Sequence, residues 1–363
     1  MVDKYIKSNW LLYVIIIFII SRLIMYYQFN LANILILDGK GSFVGTMCKW
    51  DCKWYLTIVN NGYDEVVRTS PKIWRGLANW AFFPLYPMIV AILNLLIPVN
   101  PVIIGIVLNQ IFVFFAAIFL YKLLRLNFND LNSRFGVTLL IFSPFSIYFT
   151  SLYTESLFLL LSVSGFYYLR TNAFFTSSIL GGLLSATRPV GIMFLVPIFI
   201  SFVRKRINLN SFIVLSVISS LGLLLFMVFL YIKTGDALAF QHIQKGWGRR
   251  GWGSIGVFSQ IKNMASDYYN AILFTISFVM SLYLVVKKYY EEAFFNLACI
   301  IPGVLTGTMM SEGRFSGTLF TFYFALTVLA DKSWTIKIFT LIFFFIMYLS
   351  FYAYWVGHST FLI

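Results

Sequence analysis

Charge is scarce in this chain. Only 11% of its 363 residues are Asp, Glu, Lys or Arg, whereas a soluble domain needs roughly a quarter to cover its surface. Hydrophobic residues make up 60%, aromatics 20%, and mean hydropathy is +0.85, which is the composition of a polytopic membrane protein. Histidine is almost absent: His242 and His358 are the whole supply, which argues against a histidine-based metal centre. Three cysteines, Cys48, Cys52 and Cys299, are too few for a disulfide framework. Cys48 and Cys52 have no His or Cys neighbour in sequence with which to complete a metal site. No metal site and no cofactor is therefore assigned, although a divalent ion remains compatible with the sequence. Walker-type GxxxxGK[ST], HExxH, GxSxG and strand-following GxGxxG patterns are all missing, which removes most support for ATP-driven transport and for serine or zinc hydrolysis.

What is present is lopsided. Thirteen acidic residues face twenty-seven Lys and Arg, for a net charge of +14. That excess suits anionic lipid headgroups or a phosphate-bearing substrate, and no soluble basic domain exists to hold nucleic acid. Apolar runs fall at about 10–28, 102–121, 136–150, 155–170, 174–187, 190–203, 210–232, 268–286, 293–309, 315–330 and 335–356. They predict an all-α bundle of about eleven membrane helices in a single domain, residues 1–363, with the first run a retained signal anchor. One further run, 81–98, contains Pro84 and Pro87. If it dips in and returns, then Lys4/Lys7, Lys122/Arg125/Arg134, Arg170, Arg204–Arg206, Lys287/Lys288 and Lys332/Lys337 share one face. Short basic loops stay cytoplasmic, so this arrangement is preferred over a full crossing. The opposite face then collects 30–80, "SLYTES" at 151–156, "TRPVG" at 187–191, 233–267 and "SEGRFSG" at 311–317, leaving little but basic punctuation on the cytoplasmic side.

Within these polar segments a few residues are suited to chemistry. In "WDCKWYLTIVNNGY", Trp50, Trp54, Ile58 and Asn61 recur at helical spacing, so an interfacial helix with an aromatic stripe is expected, ended by Gly62. Asp51 stands at its N-terminus, either as a cap or as a catalytic carboxylate. Glu155 opens a span directly after "SPFSIYFTSLYT", either as an ordinary first-turn acid or as a carboxylate facing an external cavity. Arg188 and Arg314 lie at helix junctions beside Pro or Gly and can fork onto phosphate oxygens or snorkel to the interface. The segment "FQHIQKGWGRRGWGS" adds Gln241, His242, Trp247, Arg249 and Arg250, suited to sugar hydroxyls, sugar faces and phosphate, or equally to membrane attachment.

"WDCKWYLTIVNNGYD", "FFPLYP" at 82–87, "SPFSIYFTSLYTESLFLLL" at 143–161 and "GGLLSATRPVGI" at 181–192 occur in that order. In this the chain resembles the PIG-V (GPI mannosyltransferase 2) family of GT-C glycosyltransferases, as a prokaryotic-type member. The resemblance implies a multi-pass enzyme that takes mannose from a polyprenyl-phosphate (dolichyl-phosphate) carrier. The acceptor would be a glycolipid or lipid-linked glycan at the non-cytoplasmic face of a prokaryotic cell membrane, or of the ER membrane in a eukaryote. It implies an essential acid in the first external loop, matched here by Asp51, with Glu155 as second candidate. Arg188, Arg314, Arg249 and Arg250 are then the candidates for the donor phosphate. Trp50, Lys53, Trp54, Tyr55, Tyr153, Gln241, His242 and Trp247 are the candidates for sugar and acceptor. A lipid phosphate leaves readily, so one base and cationic stabilisation suffice, and inversion is expected. The competing readings are a GT-C transferase for another sugar and a transporter without chemistry. A transporter would be expected to show internal repeats, and none is evident.

Overall fold

The computed structural model describes residues 9–67, 76–249 and 267–357, and all regular structure among them is helical. The helices are α1 (Trp10–Leu37), α2 (Phe43–Met47), α3 (Cys52–Asn61), α4 (Leu85–Leu96), α5 (Pro101–Arg125), α6 (Asp130–Ile141), α7 (Glu155–Arg170) and α8 (Phe174–Ser185). They continue with α9 (Leu195–Val203), α10 (Leu209–Thr234), α11 (Ala239–His242), α12 (Tyr268–Val286), α13 (Tyr290–Val304), α14 (Glu312–Gly317), α15 (Phe320–Ala330) and α16 (Trp334–Val356). Five of them, α1, α5, α10, α12 and α16, are long and apolar enough to cross a membrane. They present side chains such as Leu23, Leu225 and Phe339 outward, as lipid contact requires.

The other expected spans are shorter, and several are broken. The run 136–150 is not one helix: α6 stops at Ile141, a 3-10 turn covers Pro144–Ile147, and the chain reaches Glu155 without regular structure. Pro144 has no N–H to donate and its ring blocks the preceding turn, so α6 cannot continue. Hydropathy reports solvent preference, not backbone continuity, which is why the break is invisible to it. The irregular segment is buried, and polar side chains satisfy it. Asn109 Nδ2 of α5 donates to the carbonyls of Ser151 and Tyr153, and Ser156 Oγ donates to Phe149 O at 2.8 Å. A similar break separates α8 from the 3-10 turn at Pro189–Phe194, which runs directly into α9, and another separates α14 from α15.

Contacts sort the loops by end. Trp10 stacks on Tyr121 at 4.5 Å, Tyr13 bonds Thr138 at 2.6 Å, Asn132 bonds Asp331, and Arg170 reaches Glu292 at 2.6 Å. The start of α1 therefore shares one end of the bundle with the Lys- and Arg-bearing loops, as expected if 81–98 does not cross. Helix α4 has twelve residues, roughly 18 Å of rise against a hydrocarbon core of about 30 Å. Its exposed face carries Met88, Ile92, Leu95 and Leu96 at helical spacing. One expectation is corrected: the basic end is not mere punctuation. Glu291 and Glu292 of α13 are both fully buried there, among Arg170, Arg204 and Arg206.

Candidate active site

At the other end of α7, the loop after α1 folds onto the bundle. Cys48 and Cys52 form a single disulfide, a bridge that the sequence reading did not assign. Their Cα atoms are 5.1 Å apart, because Trp50 turns the chain back with a left-handed φ of 48°. Asp51 occupies the cap position of α3 yet makes no side-chain cap bond. Gly62 ends α3 as expected, with φ 74° and its N–H on Ile58 O at 2.9 Å. The aromatic stripe faces protein rather than headgroups. Trp54, Tyr55 and Ile58 are buried, and Trp54 stacks on Phe82 at 5.7 Å and meets Trp247 edge-on at 5.4 Å.

The carboxylate of Asp51 instead accepts a bond from Arg314 Nη1 at 2.8 Å. Arg314 Nε lies 3.2 Å from Glu155 Oε1, and the same oxygen lies 3.3 Å from Arg188 Nη1. A continuous chain of alternating charge thus runs from the first loop through α14 and α7 to the turn after α8. Phe315 lies beneath three guanidinium groups, those of Arg188 at 4.5 Å, Arg314 at 5.0 Å and Arg249 at 5.8 Å from its ring centre. Burial alone would lower the Arg314 pKa, but Asp51 and Glu155 outweigh it and hold it above the ordinary value. The side chain of Asp51 is 30% exposed and that of Glu155 is 2% exposed, so the two acids differ in access to ligand.

A cavity of about 1240 Å³ opens over this chain of charge. Asp51, Arg188, Arg249 and Arg314 line its polar part; Val190, Met193, Cys299 and Pro302 line an apolar part. Of the expected sugar and acceptor residues, Trp50, Lys53, Trp54, Tyr55, Gln241, His242 and Trp247 are in its wall. His242 Nδ1 is 2.7 Å from Asp236 Oδ2 at the exposed rim. Glu155 and Tyr153 are not wall residues. Glu155 lies behind the two arginines it holds, and Tyr153 is buried under Arg314, donating its hydroxyl to Lys49 O at 3.1 Å. Arg250 lies outside the described residues. No group of three His, Cys, Asp or Glu side chains able to cage a cation occurs among the described residues.

Sequence reasoning overlooked three features. Lys49 lines the cavity while donating to Val356 O at 3.1 Å and to Trp355 O, and burial lowers its pKa to about 8. Glu312, two positions before Arg314, is 1% exposed, and burial pushes it up to about 8 against the pull of Arg249 and Arg188. It abuts Gly303, where any Cβ would overlap Glu312 Oε1 at 1.6 Å. Its place inside "SEGRFSG" was a usable clue. Phe315, the third, had none.

The chain resembles in fold the Archaeoglobus fulgidus oligosaccharyltransferase in its apo form, with TM-score 0.56 at 11% identity over 97% of this chain and 57% of that one. The same protein tethered to an acceptor peptide gives TM-score 0.49 at 12% identity over 96% and 55%. The present chain thus spans just over half the length of that enzyme. No curated protein matches significantly. The family model for mannosyltransferase (PIG-V) matches residues 32–291, a stretch that includes Asp51, Glu155, Arg188 and the segment around Trp247, and the chain belongs to that family.

Proposed function

We propose that this membrane protein transfers mannose from a polyprenyl-phosphate donor to a glycolipid or lipid-linked glycan at the non-cytoplasmic face, with inversion. The observation that carries the reading is the cavity, in which one partly exposed carboxylate stands among arginines at the end remote from the basic loops. Short basic loops remain cytoplasmic, which supports a cavity facing the non-cytoplasmic side of the membrane. In the reaction the acceptor oxygen bonds to the anomeric carbon and its proton passes to Asp51. The bond from that carbon to the phosphate oxygen breaks, and polyprenyl phosphate leaves with the electron pair. Arg188 and Arg249 neutralise the phosphate, while Arg314 is committed to orienting Asp51 against Glu155. Trp50, Trp54 and Trp247 offer faces for sugar stacking, and the apolar wall offers a bed for the prenyl chain.

The test uses purified protein in lipid vesicles with polyprenyl-phosphate mannose, GDP-mannose and a panel of glycolipid acceptors. Transfer from the lipid donor alone, giving a product of inverted anomeric configuration, is expected. Transfer from GDP-mannose, or substrate movement across the vesicle without transfer, would overturn the reading.

A further inference from the structure

The Cys48–Cys52 bridge spans only four positions. Loop-closure entropy grows with loop length, so a bridge this short adds little to the stability of the whole bundle. Its effect is local, and what it encloses is Lys49, Trp50 and Asp51. Each of these is held from a different direction. Lys49 Nζ donates to the last carbonyls of α16, and Lys49 O accepts from Tyr153. Trp50 keeps a left-handed φ that a residue with a Cβ disfavours, a conformation that persists only where the surroundings over-determine it. Asp51 Oδ2 accepts from Arg314.

A bridge across four positions opposes any opening of the turn it closes. At present the amides of Cys52 and Lys53 donate to Lys49 O and Trp50 O, the tight turn that the bridge closes. Opening that turn frees both amides at the N-terminus of α3, where an aspartate at the cap position is the preferred acceptor. The carboxylate would then leave Arg314 and the cavity for the helix end. Cys48 is partly exposed in the cavity wall and Cys52 is fully buried, so a reductant reaches the bridge through Cys48.

We infer that the Cys48–Cys52 disulfide is a positioning element that holds Asp51 toward Arg314 and the substrate, so that transfer requires the oxidised protein. This rests on Asp51 being the base. With dithiothreitol, one thiolate attacks the Cys48 sulfur and releases Cys52 as a thiol after protonation. The second thiolate displaces Cys48, which takes a proton, and the reagent leaves as its cyclic disulfide. Transfer competence thus becomes confined to an oxidising compartment.

The experiment uses the full-length protein in vesicles, with polyprenyl-phosphate mannose and a synthetic alkyl mannoside. Reduction should lower kcat roughly tenfold to a hundredfold, the range a small misplacement of a reacting group produces. The donor KM should stay within about twofold, since the phosphate-binding arginines are untouched. Reoxidation should restore the rate. The pair Cys48→Ser and Cys52→Ser should show the same low kcat and no response to reductant, with the melting temperature little changed. Wild-type kcat in the double-serine protein would overturn the inference, as would kcat, KM and melting temperature collapsing together. Asp51→Asn is run in parallel to separate the two readings. An inactive Asp51→Asn beside a fully active double-serine protein defeats only the role of the bridge, whereas an active Asp51→Asn defeats the base itself.

Discussion

Helix α7 begins with Glu155 and ends with Arg170, and each terminus belongs to a cluster of arginines and carboxylates. At the Arg170 end, Glu291 and Glu292 are fully buried and fully engaged: Arg170 forks onto Glu292 at 2.6 and 2.8 Å, while Arg204 and Arg206 reach Glu291 at 3.2 and 3.6 Å. At the Glu155 end, the same residue types leave Asp51 partly exposed and three guanidinium groups stacked around Phe315 beneath a cavity. Composition does not distinguish the two clusters; access does. A closed cluster can only hold helices together, whereas an open one can trade its internal partners for a ligand.

That difference can be broken by substitution at either end. The largest effect is expected for Asp51→Asn, a loss of about a hundred- to ten-thousandfold in kcat, since an amide cannot accept the proton. Its melting temperature should barely move, because Asp51 makes no cap bond, is partly exposed, and leaves Arg314 still paired with Glu155. A folded variant retaining more than about a tenth of the activity would remove Asp51 from the base role. At the closed end the pattern reverses. Arg170→Met strands the buried Glu292, while Glu291 keeps Arg204 and Arg206, and should lower unfolding free energy by about 3–5 kcal/mol. The kcat of the protein that remains folded should be unchanged. Chemical denaturation beside steady-state kinetics reads both quantities, and a rate loss without a stability loss would erase the contrast.

A smaller effect is expected where the open cluster meets phosphate. Arg188→Ala and Arg249→Ala each remove a charge-assisted bond worth about 1.5–3 kcal/mol, so donor use should fall roughly tenfold or more. Lys205→Ala and Lys288→Ala at the other end should leave it unchanged. Equal effects at both ends in a donor titration would indicate general destabilisation.

The last effect is a pH dependence of stability rather than of rate. Burial keeps Glu312 protonated up to about 8 in the folded chain, whereas an unfolded glutamate releases its proton near about 4.3. Between these values the folded state binds the extra proton. Stability from this group is therefore whole below the lower value and declines as pH rises toward the upper one, by at most about 1.4 kcal/mol per unit. Glu312→Gln should flatten that slope in thermal melts at pH 5 and pH 8, and an unaltered slope would assign it to other groups.

Much of the fold was readable because hydropathy is a local property. The five long helices appear as apolar runs, and Gly62 and Pro189 mark an end and a turn through their own backbone constraints. The breaks around 142–154 and 318–319 were missed because apolar residues continue through them. At the site, the segments were legible but the roles were not. Asp51 looked equally like a cap, and only its partner decided otherwise.

The sequence by itself determined that the chain is a helical membrane protein, which end carries the basic loops, and which polar segments meet at the other end. These follow from transfer of apolar side chains out of water and from charges that resist crossing, both set residue by residue. Tertiary structure alone decided that Arg314 binds Asp51, 263 positions away, and that Glu292 answers Arg170 across 122. It also decided that Glu155 supports the site from behind. Such pairings depend on which helix faces come within hydrogen-bonding distance, and that is fixed by packing of the whole bundle rather than by any short stretch of chain.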